Sequence, residues 1–213
     1  MRHDTLLQSS VLHMVLINAN STVLALGAPL PHFTLPSVDG LTIDTRLIKD
    51  PVIVVIFTCN HCPYAQAYED RFIALANHFD PSARLRTGLE GAQFILINSN
   101  DAENYPDDSF EMMKVRYKEK GFPFPYCHDE SQEVAKAYGA LCTPHCFVGA
   151  WPEPSRGHQQ RILQYKGRID DNWKDPKAVT EQSLKDAVEA VLKGEVPSVQ
   201  EANAIGCSIK WKS

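Results

Sequence analysis

The seven residues PVIVVIF at 51–57 constrain the fold more than any other part of the chain. A short apolar run rich in β-branched residues is typical of a strand that is buried on both faces. Apolar residues then recur at three- and four-residue steps, which predicts an amphipathic helix over 62–79, and a second buried strand is predicted at 92–98. Strand, helix and strand in this order make a βαβ unit, so we expect two parallel strands with a right-handed crossover.

The rest of the chain continues the alternation of helices and strands. Val38, Asp39 and Gly40 predict the turn of a β-hairpin ahead of the first buried strand. Downstream, the sequence pattern predicts helices at 109–121, 131–140 and 180–194 and strands at 145–150 and 161–169. Together these elements predict an α/β sandwich around a mixed sheet. Residues 195–213 show no periodicity, so we expect an irregular tail.

Size and charge exclude several classes of function. A chain of 213 residues is long enough to bury a core as one domain. Its net charge of -5 gives no reason to expect binding to nucleic acid or to an anionic membrane. No apolar run approaches the roughly 18 residues that span a bilayer. We therefore expect neither a nucleic-acid partner nor a membrane partner.

The N-terminal residues 1–24 allow two interpretations. They are apolar in patches and begin with Arg2 and His3, which is compatible with a weak signal peptide. Polar residues interrupt the apolar core that such a signal needs, namely Asp4, His13, Asn18 and Asn20. We favour an extension that packs on the domain, or a loose leader, and we expect a cytoplasmic location rather than a periplasmic or secreted one.

The cysteines indicate one reactive pair among several buried thiols. The sequence contains Cys59, Cys62, Cys127, Cys142, Cys146 and Cys207. So few cysteines in a chain of this size do not indicate a disulfide framework, and Cys59 and Cys62 stand in a single C-x-x-C. This usage is typical of an intracellular protein, and we expect Cys127 and Cys146 to be structural.

The C-x-x-C falls between the first buried strand and its helix, at the strand end where α/β proteins place their sites. The positive end of a helix stabilises a thiolate, and His61 adds to this effect, so we predict a pKa of Cys59 well below the usual value of about 8.5. The spacing brings the sulfurs of Cys59 and Cys62 close enough to bond, and Pro63 suits the first helical turn. The motif is a strong indication of redox chemistry.

Metal binding and an inert buried pair are the alternatives at this point. A tetrahedral zinc or copper site needs three or four ligands, mostly cysteine or histidine. The possible further ligands are His61 in the motif and Cys142, His145 and Cys146 at or near the predicted strand 145–150. The sequence has no second C-x-x-C. In the leading interpretation we therefore expect no metal and no other cofactor.

A distant segment, ALCTPHCFV at 140–148, carries a resemblance to a known superfamily. Thr143 and Pro144, just before an apolar strand, resemble the cis-proline loop of the thioredoxin superfamily. The finer resemblance covers about 25–211 and is to the peroxiredoxin-like branch of that superfamily, which is the redoxin or AhpC/TSA-like group. The segments that carry it are CNHCPY, INSNDAENYPDDS, DESQEVAKAYGALCTP, GRIDDN and GCSIKW. It implies an α/β thioredoxin fold, a central mixed β-sheet flanked by helices, with an N-terminal β-hairpin extension and a peroxiredoxin-like insertion before the cis-proline.

The resemblance also implies a domain organisation and an activity. A thioredoxin-like domain at 25–194 would follow the extension at 1–24 and carry the tail at 195–213 packed on it. Cys59 would attack a disulfide of a protein or a small molecule, and Cys62 would resolve the mixed disulfide, with a thiol as electron donor. An oligomer is compatible with this interpretation. The residues expected to support the site are Asn60, His61, Pro63, Cys142, Thr143, Pro144 and His145.

Two departures from better-known relatives leave alternatives open. True peroxiredoxins carry a threonine three residues ahead of the peroxidatic cysteine, whereas Ile56 stands at that distance from Cys59. Thioredoxin keeps a buried acid six positions before its first cysteine, where this chain has Ile53. Another group, such as water or Glu69, must then accept the proton, or the exchange is slower. The alternatives are a thiol peroxidase and a copper- or zinc-binding module, whose ligands would be Cys59, Cys62 and His145.

His61 leads to a prediction about the redox potential. A histidine just before the second cysteine recurs in the more oxidising members of the superfamily, at about -120 to -180 mV against about -270 mV for thioredoxin. The reason is that stabilising the reduced thiolate makes the disulfide a better oxidant. We expect this pair to be more oxidising than thioredoxin, and a redox titration that gave about -270 mV or below would contradict it.

Three further side chains have more than one interpretation. Cys142, next to Thr143, is a relay, a third ligand or a buried thiol under the loop, and we favour the buried thiol. His145 is expected either to face the mouth of the site, where it would tune substrates or bind metal, or to be a satisfied surface histidine. Cys207 either folds back to the site or anchors the tail beside Trp211, and we favour the anchor.

Overall fold

The computed structural model describes residues 24–80, 91–152 and 160–213, together with the backbone of residues 14–17. The strands are β1 (Met14–Ile17), β2 (Thr34–Pro36), β3 (Thr42–Asp44), β4 (Val52–Phe57), β5 (Ala92–Asn98), β6 (Tyr126–His128), β7 (Cys142–Thr143), β8 (His145–Ala150), β9 (Ile162–Gly167) and β10 (Ala204–Ser208). The helices are α1 (Pro63–His78), α2 (Phe110–Lys120), α3 (Glu133–Tyr138) and α4 (Ser183–Leu192), with short 3-10 helices at Pro106–Asp108 and Pro176–Ala178. The signal-peptide question lies outside the described residues.

A five-stranded mixed sheet forms the centre of the molecule, in the order β6-β5-β4-β8-β9. β4 pairs in parallel with β5, with Val54 opposite Phe94, and β5 pairs in parallel with β6. β8 is antiparallel to β4, and β9 is antiparallel to β8. The predicted parallel pair, its connecting helix and the mixed sheet are therefore confirmed.

β4 is buried along its whole length, which explains its continuous apolar sequence. One face packs in a core with α1 and α4, and the other face packs with α3 and the chain ahead of β2. The side chains alternate between the two cores, with Val52, Val54 and Ile56 in the first and Ile53, Val55 and Phe57 in the second. Burial of each such side chain contributes about 1.5–3 kcal/mol.

The local signals at turns and helix ends also correspond to the structure. β2 and β3 form the predicted hairpin, with Gly40 in its turn at a φ of 89°. α2 begins after Ser109, whose hydroxyl accepts a hydrogen bond from the Met112 N–H, and it ends at Gly121 in the left-handed conformation. No helix in the described ranges is long and apolar enough to cross a membrane.

The prediction of an irregular tail is wrong. Residues Ala204–Ser208 form β10, the middle strand of a small sheet in the order β1-β10-β7. This pairing places Cys207 opposite Thr143. A strand of this length has too few residues to show a clear alternation, and its partner strands lie far away in the sequence. No local pattern therefore predicts it.

Candidate active site

The C-x-x-C lies at the carboxyl end of β4, as predicted. β4 ends at Phe57 and α1 begins at Pro63, so Cys62 directly precedes the first helical turn. Proline is favoured at that first position because its missing N–H would have no partner there. Both thiols are buried, and Cys59 is only 2% exposed.

The loop before β8 contacts both sulfurs of the motif. The Thr143–Pro144 peptide bond is cis. The hydroxyl oxygen of Thr143 lies 3.1 Å from Cys59 Sγ, and the Cys62 thiol donates to the Thr143 carbonyl at 3.2 Å. The sequence has no threonine at position 56, but the fold supplies a threonine hydroxyl to Cys59 from a distant segment. Thr143 is therefore part of the site.

A third sulfur belongs to the same site. The Sγ atoms of Cys62 and Cys207 lie 2.8 Å apart, and both residues are buried. The predicted anchor beside Trp211 is wrong, because Trp211 is 40% exposed and the pairing of β10 with β7 carries Cys207 to the motif. In the sequence, only the resemblance of GCSIKW to the family pattern draws attention to this cysteine.

A buried carboxylate binds the loop that carries the motif. Asp108 Oδ1 accepts hydrogen bonds from the Asn60 backbone N–H at 2.7 Å and from the Asn98 side-chain amide at 3.1 Å. Asp108 Oδ2 accepts a hydrogen bond from the Asn100 side-chain amide at 2.8 Å and lies 2.5 Å from His61 Nδ1. Four donors therefore converge on one carboxylate.

Sequence reasoning missed Asp108. It ends the 3-10 helix at Pro106–Asp108, and nothing in the local pattern separates it from the exposed Asp107 beside it. Asn98 shapes the turn after β5, because its side-chain oxygen accepts a hydrogen bond from the Asn100 N–H at 3.0 Å. Its second role, the hydrogen bond to Asp108, depends on the fold.

His61 and Asp108 form an ion pair beside the cysteines. The hydrogen bond with Asp108 raises the pKa of His61 and so favours the imidazolium. Burial acts to raise the pKa of Asp108, but the hydrogen bond and the charge of His61 help to lower it below its ordinary value. The His61 side chain is 23% exposed, and its ring stacks on Tyr105 with the centroids 5.6 Å apart.

The predicted low pKa of Cys59 is wrong for this arrangement. Complete burial raises the pKa of Cys59, and the hydrogen bond with Cys62 and the charge of Asp108 add to that effect. Hydrogen bonds from Cys207 and Cys59 lower the pKa of Cys62 instead. Cys62 is therefore the cysteine of the motif whose thiolate is the better stabilised, because that sulfur has two thiol neighbours that can donate to it.

Two residues predicted to support the site are core residues. His145 does not face the mouth of the site, because it is 4% exposed and its ring packs against Phe147 at 4.5 Å. Burial lowers the pKa of His145 to about 3. The thiol of Cys142 donates to the Pro144 carbonyl at 3.5 Å, and burial raises its pKa to about 12. Cys142 is therefore the buried thiol under the loop that we favoured.

The proton acceptor suggested by the sequence is already paired. Glu69 accepts two hydrogen bonds from the Arg116 guanidinium, at 2.8 and 2.6 Å, and so is not free to serve the thiols. Asp108 is the carboxylate that the fold places at the motif. One of its oxygens, a ring nitrogen of His61 and Cys59 Sγ all lie within 4.8 Å of one another.

The same three side chains are the one group in the described part of the chain with the spacing of metal ligands. The predicted ligand set of Cys59, Cys62 and His145 is not brought together, since His145 lies in the core. Asp108 is a poor ligand because four donors already converge on its oxygens. The site fits thiol chemistry better than metal binding.

Asn60 fixes the loop between the two cysteines. Its side-chain amide donates to the Asp107 carbonyl at 2.8 Å, and its side-chain oxygen accepts a hydrogen bond from the Tyr126 hydroxyl at 3.0 Å. The Gln66 amide donates to the Asn60 carbonyl at 2.5 Å. Asn60 is thus a positioning residue.

The loop after β9 forms one wall of the site. Arg71 on α1 pairs with Asp170 at 2.5 Å and donates to the Trp173 carbonyl at 2.6 Å. The Trp173 ring packs on Tyr64 with the centroids 4.4 Å apart, against the cluster that contains the three cysteines. Trp173 is a further site residue that sequence reasoning missed.

Comparison with known proteins identifies relatives of this chain. The sequence profile of the AhpC/TSA family matches residues 26–160. The structure of an uncharacterized conserved protein from Geobacillus kaustophilus is 37% identical over 94% of this chain and 97% of that one, with a TM-score of 0.79. A hypothetical protein from Sinorhizobium meliloti 1021 is 35% identical over 89% of this chain and 96% of that one, with a TM-score of 0.76.

A more distant structure shows the fold alone. Peroxidoxin BcpB from Mycobacterium tuberculosis is 17% identical over 80% of this chain and 95% of that one, with a TM-score of 0.51. A search of curated proteins found no match. The mixed sheet with flanking helices is a thioredoxin fold. Because the family profile spans more than half of the sequence, the chain belongs to the AhpC/TSA family, as a redoxin of the thioredoxin superfamily.

Proposed function

We propose that this protein is a thiol–disulfide oxidoreductase, in which Cys59 attacks the disulfide of a protein or a small molecule and Cys62 resolves the mixed disulfide. The observation that carries the proposal is the set of groups around Cys59. Its sulfur lies 3.1 Å from the hydroxyl of Thr143, within 4.8 Å of the His61–Asp108 pair, and in hydrogen-bond contact with Cys62. These groups supply a resolving thiol, a donor for a thiolate and an acid–base pair.

The first step begins with a proton transfer between the two cysteines. Cys59 passes its proton to the thiolate of Cys62, and the Thr143 hydroxyl then donates to the Cys59 thiolate. Cys59 attacks one sulfur of the substrate disulfide, whose S–S bond breaks as a mixed disulfide forms. The departing thiolate takes a proton from the imidazolium of His61.

The second step releases the other half of the substrate. Neutral His61 takes the proton from Cys62, whose thiolate attacks the Cys59 sulfur of the mixed disulfide. The second substrate thiolate leaves and takes that proton from His61. The products are a Cys59–Cys62 disulfide and two thiols, so two electrons pass from the protein to the substrate. A thiol donor then returns the pair to its reduced form.

Replacement of the attacking sulfur tests the proposal. Cys59→Ser is expected to reduce the catalysed reduction of insulin by dithiothreitol to the rate of dithiothreitol alone, because an oxygen at this position cannot form the mixed disulfide. Cys127→Ala is the matched control, since Cys127 is a buried cysteine in β6 outside the sulfur cluster, and it is expected to retain activity. A wild-type protein that adds nothing to the rate of dithiothreitol would contradict the proposal.

A thiol peroxidase is a second candidate, and the Thr143 hydroxyl beside Cys59 favours it. The Cys59 thiolate would attack a peroxide oxygen and become a sulfenic acid, with release of water after a proton comes from His61. Cys62 would then condense with it to form the disulfide and a second water. A peroxide is small enough to approach a sulfur that is 2% exposed. Failure of the reduced wild-type protein to consume hydrogen peroxide would exclude this candidate.

A further inference from the structure

We propose that Cys207 is a third redox cysteine, which takes over the disulfide of the C-x-x-C by forming a Cys62–Cys207 bond and leaves Cys59 as a thiol. This inference rests on the proposed function, because the exchange with substrate is what oxidises the C-x-x-C. It adds a residue 145 positions away from Cys62 to the chemistry of the motif.

The distance between the sulfurs carries the inference. Cys62 Sγ and Cys207 Sγ lie 2.8 Å apart, and an approach of about 0.8 Å more would reach the covalent S–S length of about 2.05 Å. Cys62 also makes a hydrogen bond with Cys59. Cys62 is therefore the neighbour that Cys59 and Cys207 share, which is the arrangement that an exchange between them requires.

The strand pairing holds Cys207 in this position. β10 pairs with β7, with Cys207 opposite Thr143, and Thr143 itself contacts both sulfurs of the C-x-x-C. Gly206 permits this close approach, since a Cβ at that position would lie 2.2 Å from the Thr143 carbonyl oxygen. The contact is thus built into the backbone and does not depend on a flexible tail.

The proposed step is an internal thiol–disulfide exchange that needs no further oxidant. The thiolate of Cys207 attacks the Cys62 sulfur of the Cys59–Cys62 disulfide. That S–S bond breaks, the Cys62–Cys207 bond forms, and the electron pair leaves on Cys59. The proton that Cys207 gives up ends on Cys59, so the total of bound protons and the oxidation state of the protein stay the same.

The exchange would place the attack on the substrate and the resulting disulfide bond on different cysteines. All three cysteines lie in one buried cluster with Tyr64 and Ala65, against which Trp173 packs. Within that cluster the disulfide would move to Cys62 and Cys207, and Cys59, the cysteine that attacks the substrate, would be a free thiol again.

Peptide mapping of the full-length protein tests the inference. The reduced protein is oxidised with an equimolar amount of oxidised glutathione, alkylated and digested with trypsin without reduction. Both cysteines of the motif fall in the peptide 50–71, and Cys207 falls in the peptide 194–210. We expect these two peptides to be joined through Cys62 and Cys207, with Cys59 alkylated or bound to glutathione.

Cys207→Ser is expected to confine the disulfide to the peptide 50–71, and Cys127→Ala to leave the wild-type map unchanged. A wild-type map with only the Cys59–Cys62 disulfide and an alkylated Cys207 would overturn the inference. In that case, catalysed insulin reduction by the Cys207→Ser protein would show that the proposed function still stands. If the wild-type protein forms neither disulfide and does not reduce insulin, the inference and the proposed function both fail.

Discussion

Asp108→Asn is expected to lower the rate of disulfide reduction by roughly 10²-fold and to destabilise the protein by about 3–5 kcal/mol. Both effects have the same origin. Each carboxylate oxygen accepts from two donors, one pair being Asn60 and Asn98 and the other His61 and Asn100. An asparagine amide must turn its own NH₂ group toward one of those pairs, which leaves buried donors without an acceptor.

The effect on stability is expected to depend on pH in a defined direction. Since the pKa of His61 is raised, its contribution to stability is fully present below the ordinary pKa of about 6.5 and is lost as the pH rises through the folded value. Since the pKa of Asp108 is lowered, its contribution is present above the ordinary value of about 3.9 and is lost as the pH falls through the folded value. The variant should therefore lose most stability relative to wild type between about pH 4 and pH 6.5.

Urea denaturation at several pH values and the pH profile of insulin reduction measure these effects. The alkaline limb of the wild-type profile should move to lower pH in Asp108→Asn, because the imidazolium of His61 loses its partner. Asp107→Asn is the matched control, since that side chain is exposed. It should change the free energy of unfolding by no more than about 0.5 kcal/mol and the rate of insulin reduction by no more than a few-fold. A loss of stability with an unchanged pH profile would show that Asp108 has only a structural role.

Gly206→Ala is expected to separate Cys207 from Cys62 and to eliminate the joined peptides from the disulfide map. The added Cβ would lie 2.2 Å from the carbonyl oxygen of Thr143 and 2.6 Å from its carbonyl carbon. Because both atoms belong to the backbone, no side-chain rotation relieves the clash, and β10 must move away from β7. We expect a destabilisation of about 1–3 kcal/mol from this overpacking.

The same map with Gly40→Ala provides the control. Gly40 has a φ of 89° in the β2–β3 turn, and a Cβ there meets nothing within 4 Å. Alanine at this position should destabilise the protein by about 1 kcal/mol through backbone strain alone. It should leave the Cys62–Cys207 peptides in place. Retention of the joined peptides in Gly206→Ala would mean that the backbone contact does not hold Cys207 at the motif.

Much of the scaffold could be predicted from local sequence. The predicted bounds of β4, α1 and β5 differ from the structure by at most one residue at either end. Burial on both faces of a strand and the amphipathic period of a helix are properties of neighbouring residues, so they appear directly in the sequence. The place of the C-x-x-C between β4 and α1 follows from the same signals.

The partners of the motif could not be predicted in this way. β10 is too short to show a pattern, and its contact with the site comes from pairing with β7. Asp108 resembles its exposed neighbour in sequence and becomes a site residue only because the fold buries it against His61. His145 follows the cis-proline but points into the core, since it shares a face of β8 with Phe147.

The sequence by itself determined the fold class, the family resemblance and the two cysteines at the strand-to-helix junction. The tertiary structure decided which of the two cysteines has the lower pKa. Burial raises the pKa of Cys59, whereas the thiol of Cys207 helps to lower the pKa of Cys62. Cys207 lies 145 residues from Cys62, and Asp108 lies 48 residues from Asn60, so neither contact exists until the chain has folded.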